Sequence, residues 1–280
     1  MIKQNPFSVY DFLGYLIPGA ISLYSLLIID YLKKYNDYSI EGFINCIGEF
    51  KFEGIFFFII LAYILGHLLS YISSITIEKY ANWRYSYPSK YLLKMKEKGY
   101  WKSAGNWKGY FWRISLLIIL FPCIVFDFIF GQLLNFKSFY KKEVDVLLRK
   151  LIVLKINKLF EKIGFGEIEN YEQFDNGKGN SHDFHRVVTH YAYEHSKHHQ
   201  AKMSNYVALY GFLRTLSLIF NFLALYLIIR IATYFTFNLE NILIIIVLSS
   251  LSYISFMAFM KFYRRYTLEG FMIITIEKEL

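Results

Sequence analysis

The sequence predicts an all-α polytopic membrane protein: about four transmembrane helices, five being possible, with a helical cytoplasmic region between them. Three observations predict it. Of 280 residues, 55% are apolar and only 19% charged, where a soluble domain carries about a quarter charged. The apolar residues gather into five runs, most of them about the twenty residues a helix needs to cross a bilayer. The net charge of +9 is concentrated in the polar stretch between the runs, as expected of segments held on one side of a membrane.

The first run is Tyr10–Leu32, with Gly14, Pro18 and Gly19 inside it. Pro18 lacks a backbone donor, so a kink is expected there. Asp11 and Asp30 mark its ends and read as interfacial carboxylates. Only Lys3 stands ahead of the run and no A-x-A site follows, so a permanent span is expected rather than a cleaved signal. A polar connection, Lys33–Gly54, leads to the second run, Ile55–Ile77. Gly66, His67, Ser70, Ser73 and Ser74 suit close helix packing in lipid. His67 is expected to bond a neighbouring helix. Residues 1–77 thus form a first transmembrane hairpin.

Residues 78–205 are the basic region. Glu78–Arg113 carries nine Lys or Arg interleaved with Trp83, Trp101, Trp107 and Trp112, the pattern of an interfacial belt. The third run, Ile114–Leu134, contains Pro122, Asp127 and Gly131. Nine Lys or Arg precede it and twelve follow, up to Lys202. If residues 114–134 are re-entrant or interfacial, all of these charges lie on one side; if they span, the charges are split. The positive-inside rule therefore favours four full spans plus one incompletely crossing helix, with five spans as the alternative. It puts both termini and the bulk of the polar region in the cytoplasm, which places the chain in the inner (plasma) membrane.

Lys141–Ile163 has Val144, Leu148, Leu151, Leu159 and Ile163 at helical spacing, with cations between them, and reads as an amphipathic helix. Gly164–Asn180 is a loop whose glycines match no phosphate-binding motif. Ser181–Ser204 reads as a helix capped by Ser181, with Asp183 in its first turn. Tyr206–Tyr234 and Ile242–Met260 are separated by seven residues, FTFNLEN, and so form a second hairpin within residues 206–266. Residues 267–280 read as a short tail. Arg214 lies about two turns into the fourth run; an arginine there must snorkel to the interface or pair with Asp11 or Asp127. Asp11, His67, Asp127, Arg214 and Asn221 are the intramembrane polar residues at which gating would act.

Six of the seven histidines fall in Ser181–Leu213. His185-x-x-x-x-His190 and His195-x-x-His198-His199 resemble two histidine boxes of membrane desaturases and hydroxylases, whose two irons need about eight or more histidines. Here both boxes lie within fifteen consecutive residues and no third box exists, so one helix face would have to close the site. A solvated or interfacial histidine face is the first expectation, with no cofactor. Zinc or iron held by His185, His190, His195, His198 and His199 is the alternative, and a pH-sensing role is a third. Cys46 and Cys123 are too far apart for a C-x-x-C pair, and no H-E-x-x-H, Walker or kinase motif occurs. An enzyme is therefore not the first reading.

Four stretches together resemble a group of small bacterial multi-span membrane proteins: residues 10–19 (YDFLGYLIPG), Gly66-His67-Leu68-Leu69 with the serines that follow, Tyr87-Pro88-Ser89, and residues 206–214 (YVALYGFLR). The group includes membrane effectors of anti-phage defence such as the Hailong channel. The resemblance implies an ion channel gated by a DNA oligomer or nucleotide made by a partner enzyme. It also implies assembly in the lipid bilayer as a homo-oligomer, with a tetramer as the first guess. In this chain the expected contacts to such an anionic ligand are Arg149, Lys150, Lys155, Lys158, Arg186, Lys197 and Lys202. Two other readings compete: a histidine-dependent metal enzyme, and a non-catalytic anchor or scaffold on anionic lipid.

Overall fold

The computed structural model describes residues 11–35, 42, 52–95, 99–164, 183–235 and 237–278. Most of the Lys33–Gly54 connection, nearly all of the Gly164–Asn180 loop and Ser181 lie outside the described residues, as do the side chains of Asp183, Lys197 and His198. Every regular element among the described residues is helical. Among the described residues, four helical stretches are long and apolar enough to span a membrane, five if one bent pair counts as a span.

The first hairpin begins with a π-helical turn, Phe12–Leu16, that runs into α1 (Ile17–Tyr35). The kink expected at Pro18 takes this form: the wider turn precedes the proline, where a straight α-helix would need its missing N–H. Helix α2 (Phe52–Ile75) packs against α1. Glycines set their approach. A Cβ at Gly19 would overlap the Ala62 carbonyl, and one at Gly66 would overlap the Tyr15 carbonyl. His67 does meet its neighbour, but through ring stacking. Its ring lies 3.7 Å from that of Tyr15 and edge-on to Tyr63.

Thr76 breaks the second run, and α3 (Ile77–Tyr85) follows. Ser86, at φ 64°, turns the chain into the short α4 (Pro88–Leu92), which opens on Pro88, a residue suited to a first helical turn. Helix α5 (Trp107–Ile119) starts at Asn106, whose side chain accepts the Gly109 N–H at 2.9 Å. The third apolar run is then not straight. At Leu120 the chain bends by 85° into α6 (Phe121–Phe126), where Pro122 occupies the first turn, and into a π-helix, Asp127–Leu133. Asn221 holds the bend together. Its amide donates to the Ile119 carbonyl at 2.8 Å and its oxygen accepts the Cys123 N–H at 3.2 Å. Backbone groups freed by a break in an apolar layer need such partners.

Helices α7 (Lys137–Tyr140) and α8 (Val146–Lys162) follow, then α9 (Asp183–His195). The helix expected over Ser181–Ser204 breaks at Ser196. From Lys197 the chain continues unbroken as α10 to Tyr234. Phe235, in the left-handed region at φ 52°, turns it back, and α11 runs over Leu239–Ile276. The tail read from the sequence is thus mostly the last turns of this helix. Both α10 and α11 have 38 residues, roughly 57 Å each, far more than a bilayer core needs. They form the most extensive helix–helix contact among the described residues. Small residues let them meet: Ser252 Oγ donates to the Ser217 carbonyl at 2.8 Å.

Among the described residues three apolar clusters result, two large and one small, the small one joining Ala192, Met203 and Ile273 at the seam of α9, α10 and α11. The first large one, within the spans and the bent pair, joins Leu69, Tyr80, Leu120, Leu218, Tyr253 and Phe256. The second lies in the polar layer. There Leu92 of α4, Ile152, Ile156 and Leu159 of α8, and Phe184 and Val188 of α9 surround Phe271 and Ile274 of α11. The overhanging end of α11 therefore supplies the centre of the polar layer.

Candidate ligand cleft

Helix α9 packs on the overhanging ends of α10 and α11, and the seam leaves an open cleft of about 460 Å³, within the size range of small-molecule sites. One wall is α9, which presents His185, Arg186, Thr189, His190 and Tyr193. The spacing i, i+1, i+4, i+5, i+8 puts them on one helix face. Phe184 and Val188 occupy the buried face beside it. The opposite wall comes from the long helices: Tyr210 on α10, and Tyr263, Tyr266 and Thr267 on α11. Pro88 and Ser89 of α4 close one end.

His185 is the pivot of the α9 wall. Its ring stands edge-on to Phe271 at 5.4 Å and to Tyr266 at 6.3 Å. The Thr189 hydroxyl donates to the His185 carbonyl at 2.7 Å and lies 3.4 Å from its Nδ1. Gly270 faces this point, where an added Cβ would be in ordinary contact with both side chains. Arg186 and His190 are exposed. Tyr193 is partly buried, and burial pushes its phenol above the usual range, so it remains a neutral donor. The Tyr210 ring meets that of Tyr263 at 5.2 Å and that of Tyr266 at 5.8 Å, both at tilted angles. The cleft thus combines a guanidinium and two imidazoles on one side with phenol rings on the other. Such a lining suits an anion that carries a flat ring.

The other residues singled out in the sequence lie elsewhere. Arg149, Lys150 and Lys158 sit on α8, which buries Ile152, Ile156 and Leu159, and they are not part of the cleft lining. Lys155 donates to the Glu277 carbonyl at the end of α11. Lys202 pairs with Glu269 at 2.8 Å, and the same carboxylate meets His199 Nδ1 at 2.9 Å. His195 stacks on Tyr191 at 3.9 Å and its Nδ1 lies 3.0 Å from the Tyr191 carbonyl. The histidines of this stretch whose side chains are described are therefore dispersed. Two line the cleft, one pairs with α11 and one folds back on its own helix. Among the described residues no three His, Cys, Asp or Glu side chains come together as a metal set.

The intramembrane polar residues also separate by role. Arg214 reaches neither Asp11 nor Asp127. Its guanidinium pairs with Glu78 and donates to Ser73 Oγ at 3.0 Å and the Ser70 carbonyl at 3.2 Å. Glu78 comes from α3, immediately past the second span, and so is nearer along the bundle than either aspartate. Asp127 is fully buried and accepts hydrogen bonds from Tyr80, Tyr85 and Tyr140.

Sequence reasoning missed the aromatic half of the cleft. The signal was present: Tyr263 and Tyr266 are three apart in KFYRRY, so they share a helix face. The fifth apolar run ends at Met260, ahead of both tyrosines, so hydropathy alone does not carry helix α11 through them. Comparison with protein-family models, with curated proteins and with solved structures finds no match.

Proposed function

We propose that the chain is a membrane effector, an oligomeric ion channel controlled by an anionic ligand of the nucleotide or DNA-oligomer class that binds the cleft between α9 and the α10–α11 pair. Anti-phage defence is the setting that the resemblance to small bacterial membrane effectors suggests. One observation carries the reading: the cleft is walled on one side by a cationic helix face and on the other by tyrosines of α10 and α11, each of which continues without a break into a membrane-spanning stretch. A ligand held there touches the spans themselves, so its binding energy acts directly on their tilt or separation. A ligand shifts such an equilibrium only by its differential contact with the two states, and the α9–α11 seam is where that contact would differ. In this reading the cleft opens to the cytoplasm, where a partner enzyme would make the ligand.

The test is planar-bilayer current and direct binding, using short single-stranded DNA and cyclic nucleotides as probes. Ligand-dependent current is expected for the native chain. Arg186→Glu should abolish it at least tenfold in affinity, while Lys158→Glu on α8 should leave it within twofold. No current and no binding with any probe would remove the channel reading, and an unaffected Arg186→Glu would remove the cleft from it.

A further inference from the structure

Asp127 lies outside the cleft, and the arrangement around it is independent of any ligand there. It begins the π-helix that follows the 85° bend, and its side chain is wholly buried. Tyr80 donates to Oδ2 at 2.7 Å and Tyr85 to Oδ1 at 2.6 Å. Tyr140 Oη lies 3.1 Å from Oδ1 and 3.0 Å from Tyr85 Oη, so its one hydrogen is shared between them. A fourth phenol, Tyr253 of α11, is 3% exposed; its hydroxyl makes no hydrogen bond of ordinary geometry among the described residues, and the phenol it faces is that of Tyr140. Gly131 marks where these groups converge: a Cβ there would stand 2.6 Å from Asp127 Oδ1 and 3.1 Å from both Tyr140 and Tyr253 Oη.

Every direct partner of this carboxylate is a neutral phenol. Among the described residues no Lys, Arg or His reaches it at ion-pair distance; Arg84 acts on it only from farther off, and Cys123 is the remaining titratable group beside the cluster. A buried carboxylate without a counter-charge is costly, and an ionisable group at such depth marks a functional site more often than a structural one. A cation would relieve the charge, and the geometry restricts which. Three phenol O–H groups already point their hydrogens at the carboxylate oxygens, so a metal cation would have to displace them before it could be coordinated. A proton alone needs no added room.

The geometry points to Asp127 as a reversible proton-binding site within the apolar bent pair, with Tyr253 as the acceptor that serves its neutral form. On uptake, a proton from water bonds to a carboxylate oxygen and no other bond breaks. The carboxyl, now a donor, turns its hydrogen toward Tyr253 Oη, which closes in to accept it because the two are not hydrogen-bonded in the present arrangement, and the hold on Tyr80, Tyr85 and Tyr140 weakens because a neutral acid is the poorer acceptor. Release reverses each change. Because Tyr80 and Tyr85 belong to α3, Tyr140 to α7 and Tyr253 to α11, the proton sets how tightly three elements are drawn to the bend.

Infrared difference spectroscopy of the full chain in lipid bilayers, stepped in pH with and without ¹³C-aspartate, tests this. A carboxylic-acid C=O band should grow as pH falls, shift with the isotope and be absent from Asp127→Asn. Tyr253→Phe, which removes only the acceptor hydroxyl, should keep the fold and move the band's midpoint about one pH unit lower, the worth of one hydrogen bond to the neutral acid. The proposal is overturned if no isotope-sensitive band appears at any pH at which the helices persist. A band retained in Asp127→Asn, or a midpoint unmoved in Tyr253→Phe, overturns it equally. If Asp127→Asn fails to assemble, the isotope shift and the Tyr253→Phe midpoint decide.

Discussion

Replacing Arg214 with alanine tests the strongest polar tie between the two transmembrane hairpins. Arg214 sits in α10, is 9% exposed, and donates to Glu78, Ser73 and Ser70 on the α2–α3 side. The serines lose little: Ser73 Oγ also donates to the Ser70 carbonyl at 2.8 Å and meets Thr215 Oγ1 at 3.3 Å. Glu78 loses its counter-charge. Breaking a fully buried ion pair costs about 3–5 kcal/mol. The Glu78 side chain is 26% exposed, however, so water recovers part of that, and about 2–3 kcal/mol is expected.

Arg214→Lys keeps the charge but loses the fork that spans carboxylate and serines, and should cost about 1 kcal/mol. Unfolding in mixed detergent micelles, titrated with SDS, measures both variants. A double-mutant cycle with Glu78→Ala isolates the pair and should return a coupling of about 1–2 kcal/mol. A loss under about 0.5 kcal/mol for Arg214→Ala, within the range of a surface change, or no coupling in the cycle, refutes the reasoning. It would mean that the guanidinium is satisfied as well by lipid headgroups and water as by Glu78.

Two further outcomes are expected. Gly19→Val should destabilise the first hairpin by more than about 1–3 kcal/mol, because its Cβ would overlap the Ala62 carbonyl, a backbone atom that cannot swing aside; thermal unfolding followed by circular dichroism reads this, and wild-type stability would show that α1 and α2 do not meet at these glycines. Burial pushes the Tyr100 phenol up to about 12, so its neutral form stabilises the fold fully below the ordinary value near 10 and that contribution is lost as pH rises from there to about 12. Tyr100→Phe should therefore flatten the alkaline fall in stability over that interval, and an unchanged slope would show that the phenol titrates freely.

The spans were legible because hydropathy over some twenty residues is a one-dimensional signal that lipid enforces without reference to the rest of the fold. The bend in residues 107–133 was half legible. Pro122, Asp127 and Gly131 announced an interruption, and charge counting favoured an incomplete crossing. Its geometry depended on Asn221, ninety-eight residues from Cys123 along the chain, and no local pattern reveals such a partner. Arg214 was expected to be paired, since an arginine in an apolar layer demands it. Its partner was misassigned because the choice among Asp11, Asp127 and Glu78 is made by how helices cross. The cleft was legible on one side only. The α9 face shows its cations and histidines at helical spacing, whereas Tyr263 and Tyr266 lie past the end of the fifth apolar run at Met260, and Tyr210, inside the fourth run, has nothing local to mark it as a wall residue.

The overhang of α10 and α11 also bears on how a site in the polar layer can influence the spans. A domain joined to a bundle by flexible linkers transmits little force, because the linker relaxes first. Here Phe271 and Ile274, at the centre of the polar layer, and Phe256 and Phe259, at the centre of the span core, belong to one unbroken helix. Glu269, between these two regions, ties that helix back to α10 through Lys202 and His199. A displacement of α9 against α11 must either move α11 as a rod or unpack one of the two cores. The second choice sacrifices several fully buried side chains, each worth about 1.5–3 kcal/mol, so the rod moves. Tyr253 lies on the same rod, facing the Asp127 cluster. The proposed proton site and the proposed ligand cleft therefore bear on a single helix, and the occupancy of one is expected to shift the affinity of the other by equal factors in both directions. Ligand titrations at two pH values on either side of the infrared midpoint would measure that coupling directly. Equal affinities at both would show that α11 bends between its two cores instead of moving as one body.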